Sequence, residues 1–140
     1  MKNMFNFFKK KKRVLGYGTN PKLSEFKKTL VEEKKAAMMY SMLMVLAADK
    51  ENFNIKMDNY FHNQAGLLGF DLGNNSMMEQ YKSKTASEIY EILKELNTEQ
   101  KKWYAISMYS SLYDLGYKPS KKQVSLYLSI GEQSENPYMR

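Results

Sequence analysis

Three carboxylates, Asp49, Glu51 and Asp58, fall around what reads as one helix corner. Brought together they could offer oxygens to a divalent cation, and calcium takes about six to eight of them. Their spacing is not that of an EF-hand loop, which needs alternating acids, a central Gly and a closing Glu. Ordinary capping and solvated surface charge account for the same residues equally simply. The chain has one histidine, His62, and no cysteine. Disulfides, thiolate metal sites and any triad needing a second imidazole are therefore excluded. No partner for His62 is evident, and a surface or half-buried position is expected. Gly16-Tyr17-Gly18 is not a phosphate loop, because no strand precedes it and no Gly-Lys-Ser/Thr follows. The residues supply no catalytic constellation, and a non-enzyme is expected, with no cofactor beyond a divalent cation at the three acids.

A different chemistry is written at the N-terminus. Phe5, Phe7 and Phe8 precede Lys9, Lys10, Lys11, Lys12 and Arg13. Aromatic rings can enter a lipid headgroup region while the bases attract anionic lipid. At about 1 kcal/mol for each base near the surface, the five contribute roughly 5 kcal/mol before the cost of ordering the segment. A solubilising tail, or one whose Phe residues pack on the body, is the plainer alternative; nucleic acid and acidic proteins are weaker candidates. A second aromatic set, Trp103, Tyr104, Tyr113 and Tyr117, could form a partner surface or simply pack in core and rim.

Locating the charge narrows the partner class. The net charge is +7 in 140 residues. Residues 1–13 hold +6 of it, and the remaining 127 residues carry 16 bases and 15 acids. A folded basic groove that tracks phosphates is not supported by such a distribution. Residues 49–96 are net acidic, with 8 acids and 5 bases, and residues 98–124 are net basic, with 5 bases and 2 acids. Opposed patches of this kind could pair copies of the chain into a homo-oligomer, or serve solubility alone.

The elements that must position these groups are helical. Asn20-Pro21 reads as a helix start, followed by apolar residues at three- and four-residue steps to about Ala48, with a break expected near the Glu32–Lys35 charge run. A second helix from about Asn54 places Met57, Tyr60, Phe61, Gln64, Leu67 and Leu68 on one side, with Gly69 as its terminator. A short helix is expected around Met77, Met78 and Tyr81. Thr85-Ala-Ser-Glu88 has capping-box spacing ahead of the stripe Ile89, Ile92, Leu93 and Leu96. Asn97-Thr98 starts a helix that runs toward Gly116, and Ser120-Lys-Lys-Gln123 is another capping box before Val124, Tyr127 and Leu128. Met38, Met39, Met42 and Met44 wrap most of the first helix, which marks it as central and buried. No run alternates with period two, so no strand is expected. The expectation is an all-α compact bundle of five or six helices in one domain over 21–134, with a flexible basic tail at 1–20 and a frayed end at 135–140. The order of aromatic and basic residues at the N-terminus is the reverse of a secretory signal. The apolar run Ala36 to Ala48 is too short to cross a bilayer. A cytoplasmic protein, peripheral to the membrane if the tail binds lipid, is expected.

Two corners share a pattern. The first reads Leu46-Ala47-Ala48-Asp49-Lys50-Glu51-Asn52-Phe53-Asn54-Ile55, and the second Leu112-Tyr113-Asp114-Leu115-Gly116-Tyr117-Lys118-Pro119-Ser120. In each, a helix ends at an Asp, a short link carries an aromatic, and an amphipathic helix follows. This resembles the tellurite-resistance TerB-like helical domain, over roughly residues 36–132. That family's pattern is an alanine-rich helix ending in Ala-x-Asp-Gly, an apolar turn and an acid-rich start to the next helix, repeated later. Lys50 and Leu115 stand where the pattern has Gly, and Asp58 and Gln123 stand nearest to the acidic positions. The resemblance implies an interaction module linked to divalent metal and stress response.

The function expected from these readings is a non-catalytic interaction or adaptor domain, steered toward an anionic membrane surface by its tail and acting on an unidentified protein partner. A TerB-like metal-linked protein and a small nucleic-acid-associated regulator are the alternatives.

Overall fold

Ala36, Ala37, Met38, Met39, Ser41, Met42, Val45 and Leu46 take up successive faces of one helix, and all are buried. A helix with apolar residues on every side is stable only when other elements surround it. The computed structural model, which describes residues 30–73 and 76–139, shows this arrangement. Six α-helices are present among the described residues: α1 (Glu32–Leu46), α2 (Ile55–Leu68), α3 (Ser76–Tyr81), α4 (Ala86–Lys94), α5 (Thr98–Tyr113) and α6 (Lys121–Gln133). No strand occurs among those residues. Helix α1 packs against each of the other five, and α5 packs in addition against α2 and α6. The fold is all-α, and no described helix is long and apolar enough to cross a membrane.

Local sequence sets most helix starts. Asn54 caps α2 by accepting from the Met57 backbone N–H. Thr85 with Glu88, Asn97 with Gln100 and Ser120 with Gln123 form reciprocal capping boxes on α4, α5 and α6. Each box satisfies backbone donors that the first helical turn leaves over. Glu88 therefore has its carboxyl held below the usual range, first by the Thr85 backbone N–H. Gly69 ends α2 at φ 72°, a left-handed geometry that costs glycine little.

Several boundaries and faces differ from the sequence expectation. Helix α1 begins at Glu32, after Val31 in an extended conformation. The break expected near the Glu32–Lys35 run falls just before it, at Leu30 and Val31, and the run opens α1, with Glu32 and Glu33 in the first turn where the helix dipole favours acids. The proposed start at Asn20-Pro21 and the tail at 1–20 lie outside the described residues. Leu67 and Leu128 are exposed; the buried faces of α2 and α6 centre on Met57, Phe61, Gln64, Ala65 and Leu68, and on Gln123, Tyr127, Ile130 and Gly131. Helix α5 ends at Tyr113, earlier than Gly116.

The segment expected to fray is packed. Met139 and Asn136 are buried. Asn136 donates from Nδ2 to the Lys101 carbonyl at 3.1 Å, and Lys101 Nζ returns a bond to the Glu135 carbonyl at 3.0 Å. Met139 lies directly over Gly131, where an added Cβ would come within 2.6 Å of the Met139 Cβ. A glycine on the last turns of α6 thus makes the seat for the chain end.

Candidate interaction surface

The two corners that look alike in sequence meet in space. Asn52, in the α1–α2 link, donates from Nδ2 to the Lys118 carbonyl at 3.1 Å and to Gln123 Oε1 at 2.7 Å. Gln123, fully buried in the first turn of α6, donates from Nε2 to the Leu46 carbonyl at the end of α1 at 2.9 Å. Its Oε1 also accepts the Ser120 backbone N–H at 3.0 Å. One amide side chain therefore closes its own capping box and ties the α5–α6 link to the α1–α2 link.

The carboxylates of the first corner serve locally. Asp49 Oδ1 accepts the Glu51 backbone N–H at 3.2 Å, a turn-forming contact. Asp58 lies in the first turn of α2, with Oδ1 3.5 Å from His62 Nδ1 one helical turn on. His62 is exposed. Among the described residues no three His, Asp or Glu side chains gather as a metal site would require, so Asp49, Glu51 and Asp58 are not brought together as one.

The second corner holds a buried polar cluster that is not evident from spacing. Gln64 of α2 donates to Ser107 of α5 at 2.7 Å, and Ser110 donates to Asp114 Oδ2 at 3.0 Å. The Tyr60 hydroxyl lies near Ser110 and Ser107; burial chiefly, opposed by those side chains, pushes its pKa up to about 12. The buried serines of α5, at 107, 110 and 111, are the missed signal: Ser107 meets Gln64 of α2, while Ser110 and Ser111 bond to Asp114 and to the Met108 carbonyl.

The aromatic set divides. Tyr104 is 0% exposed and shares a hydrogen bond with Ser41 of α1. It is a core residue and not part of a partner surface, because α1 and α5 press together at that level. Burial drives its hydroxyl pKa upward. Trp103 is half-buried. Tyr113 and Tyr117 are 39% and 45% exposed. Tyr113 stacks on Tyr109 with ring centroids 4.6 Å apart, and Lys56 Nζ lies 5.6 Å from the Tyr117 ring centroid. Phe5, Phe7, Phe8, Lys9, Lys10, Lys11, Lys12 and Arg13 lie outside the described residues.

Fold and surface together define a small all-α domain with its two link corners joined at one end. Comparison with protein-family models, with curated proteins and with solved structures gives no match to this chain.

Proposed function

We propose that this chain is a non-catalytic helical interaction or adaptor domain, steered to anionic membrane surface by its basic, aromatic-tipped N-terminal segment. One contrast supports the reading. The polar side chains at the joined corners are engaged with one another and with backbone, whereas Tyr113 and Tyr117 are left at the surface. Exposed aromatics beside a rigid polar network suit binding better than bond-making chemistry. The test is co-sedimentation with neutral and anionic vesicles at low and high salt, comparing the full chain with one starting at Val14. Stronger pelleting of the full chain than of the shorter one, on anionic vesicles and reversed by salt, is the expected result. Equal behaviour of the two chains would remove the steering role of the segment.

The TerB-like, metal-linked reading draws on the side-by-side placement of the two Asp-ending corners. It predicts a rise in melting temperature when a divalent cation is added, by preferential binding to the folded state. An unmoved melting curve across calcium, magnesium, manganese and zinc would eliminate it.

A further inference from the structure

The joined corners carry a surface feature that is separate from the N-terminal segment. The Asn52–Lys118 bond sets the start of α2 beside the start of α6. Around this junction Lys56, Lys118, Lys121 and Lys122 are all exposed. Two apolar side chains at this junction are exposed, Ile55 at 67% and Tyr117 at 45%, and Lys56 Nζ lies 5.6 Å from the Tyr117 ring centroid. Ile55 is the most exposed large hydrophobic side chain among the described residues, and it is the first residue of α2. The nearby acids are Asp49, Glu51 and Asp58. Asp49 is half-buried, Glu51 is exposed, and the Asp58 side chain is 42% exposed.

We infer that this corner is a second membrane contact, which docks on an anionic lipid surface with Ile55 and Tyr117 entering the headgroup region and the four lysines facing lipid phosphates. The inference rests on the membrane-steering reading above and gives the folded body a part in it. Charge complementarity selects the partner's sign: the four exposed lysines outnumber the two exposed acids, Glu51 and Asp58, and each base near an anionic bilayer adds to binding. The apolar tips select lipid over nucleic acid. An exposed branched aliphatic side chain gains by leaving water for the acyl boundary. It has no comparable use against a phosphate backbone. Nucleic-acid binding would call for open aromatic faces on which bases stack, and one face of Tyr117 has the Lys56 ammonium over it. Two contacts, one on the N-terminal segment and one on the rigid body, would also fix the orientation of the domain on the bilayer, because attachment at one point leaves rotation free.

The experiment uses the full chain and vesicles of phosphatidylcholine, alone or mixed with phosphatidylglycerol. The variants are Lys121→Gln with Lys122→Gln, Ile55→Ser, and a third in which Lys9, Lys10, Lys11, Lys12 and Arg13 are replaced by Ser. All the changed corner residues are exposed, and circular dichroism and melting temperature confirm that each variant is folded. Removing the two corner charges is expected to lower partitioning onto the mixed vesicles roughly thirtyfold. Ile55→Ser should weaken it further without changing its salt dependence, and the N-terminal variant should retain salt-sensitive binding. If the corner variants bind as the unaltered chain does while the N-terminal variant loses all binding, the corner has no part and the steering segment alone suffices. If the unaltered chain does not bind the mixed vesicles, both readings fall. Binding of a single-stranded oligonucleotide that is lost with Lys121→Gln and Lys122→Gln, in a chain indifferent to vesicles, would reassign the corner to nucleic acid.

Discussion

Gln123 and Leu46 are far apart in the chain, yet Gln123 Nε2 donates to the Leu46 carbonyl across 2.9 Å, within a fully buried environment. That carbonyl belongs to the last turn of α1, where acceptors have no partner further along the helix. An amide from α6 supplies the missing donor. The same amide accepts from Asn52 and from the Ser120 backbone N–H, so three segments depend on it.

Replacement of Gln123 should therefore cost more than loss of a helix cap. Gln123→Ala removes both the cross-link and the capping box and leaves the Leu46 carbonyl buried, with an expected loss of about 2–4 kcal/mol. Ser120→Ala, which removes only the cap, should cost about 1 kcal/mol. Urea unfolding of the two variants gives the comparison, and equal losses would show that the cross-link adds nothing.

The Ser41–Tyr104 pair should respond unequally to its two deletions. Ser41 also bonds to the Ala37 carbonyl of its own helix at 2.6 Å, so Tyr104→Phe leaves the serine satisfied and should cost about 1 kcal/mol. Ser41→Ala leaves the Tyr104 hydroxyl in a fully buried site and should cost about 1–3 kcal/mol. A double-mutant cycle measured by chemical denaturation separates the pair term from the desolvation of the orphaned hydroxyl.

Gly131 provides a sign test for the packed chain end. In a bare helix Gly→Ala is stabilising by about 1 kcal/mol. Here the new Cβ would meet the Met139 Cβ at 2.6 Å and the Met139 carbonyl oxygen at 3.0 Å. Gly131→Ala should thus destabilise the full chain by about 1–3 kcal/mol. In a chain ending at Ser134 the same substitution should become neutral or stabilising. A penalty that persists after truncation would assign it to something other than the Met139 seat.

Alkaline pH should unfold the domain over a definable window. Tyr60 and Tyr81 both have pKa values pushed up to about 12 from 10.0, chiefly by burial, and burial drives Tyr104 upward as well. A raised pKa means that the folded state holds the neutral phenol in preference. Its contribution is complete below about pH 10 and is lost as pH climbs toward about 12. Near-ultraviolet absorbance should show the exposed tyrosines ionising first and the buried ones only together with the loss of helical circular dichroism. Smooth ionisation of all tyrosines before the helix signal falls would contradict this.

Much of the fold can be read along the chain because helix starts and stops are local events. Thr85 with Glu88, Ser120 with Gln123, Asn54 and Gly69 mark boundaries that hold in three dimensions, since each acts on backbone groups within a turn of itself. The methionine-wrapped α1 likewise announces its central place: Met38, Met39 and Met42 are buried and Met44 is half-buried. The candidate surface was less legible. Tyr104 and Tyr113 look alike in sequence, but the approach of α1 buries one and leaves the other in water.

The helical class, the positions of the capped helices and the concentration of charge in residues 1–13 are written along the chain. These follow from backbone capping, apolar periodicity and composition, which need no knowledge of distant residues. Long-range packing joins the two Asp-ending corners through Asn52 and Gln123, settles Met139 on Gly131, and leaves Ile55 exposed and Tyr117 exposed beside Lys56. Those outcomes depend on the packing of helices far apart in the chain, where close approach and hydrogen-bond satisfaction select one partner among many chemically equivalent ones.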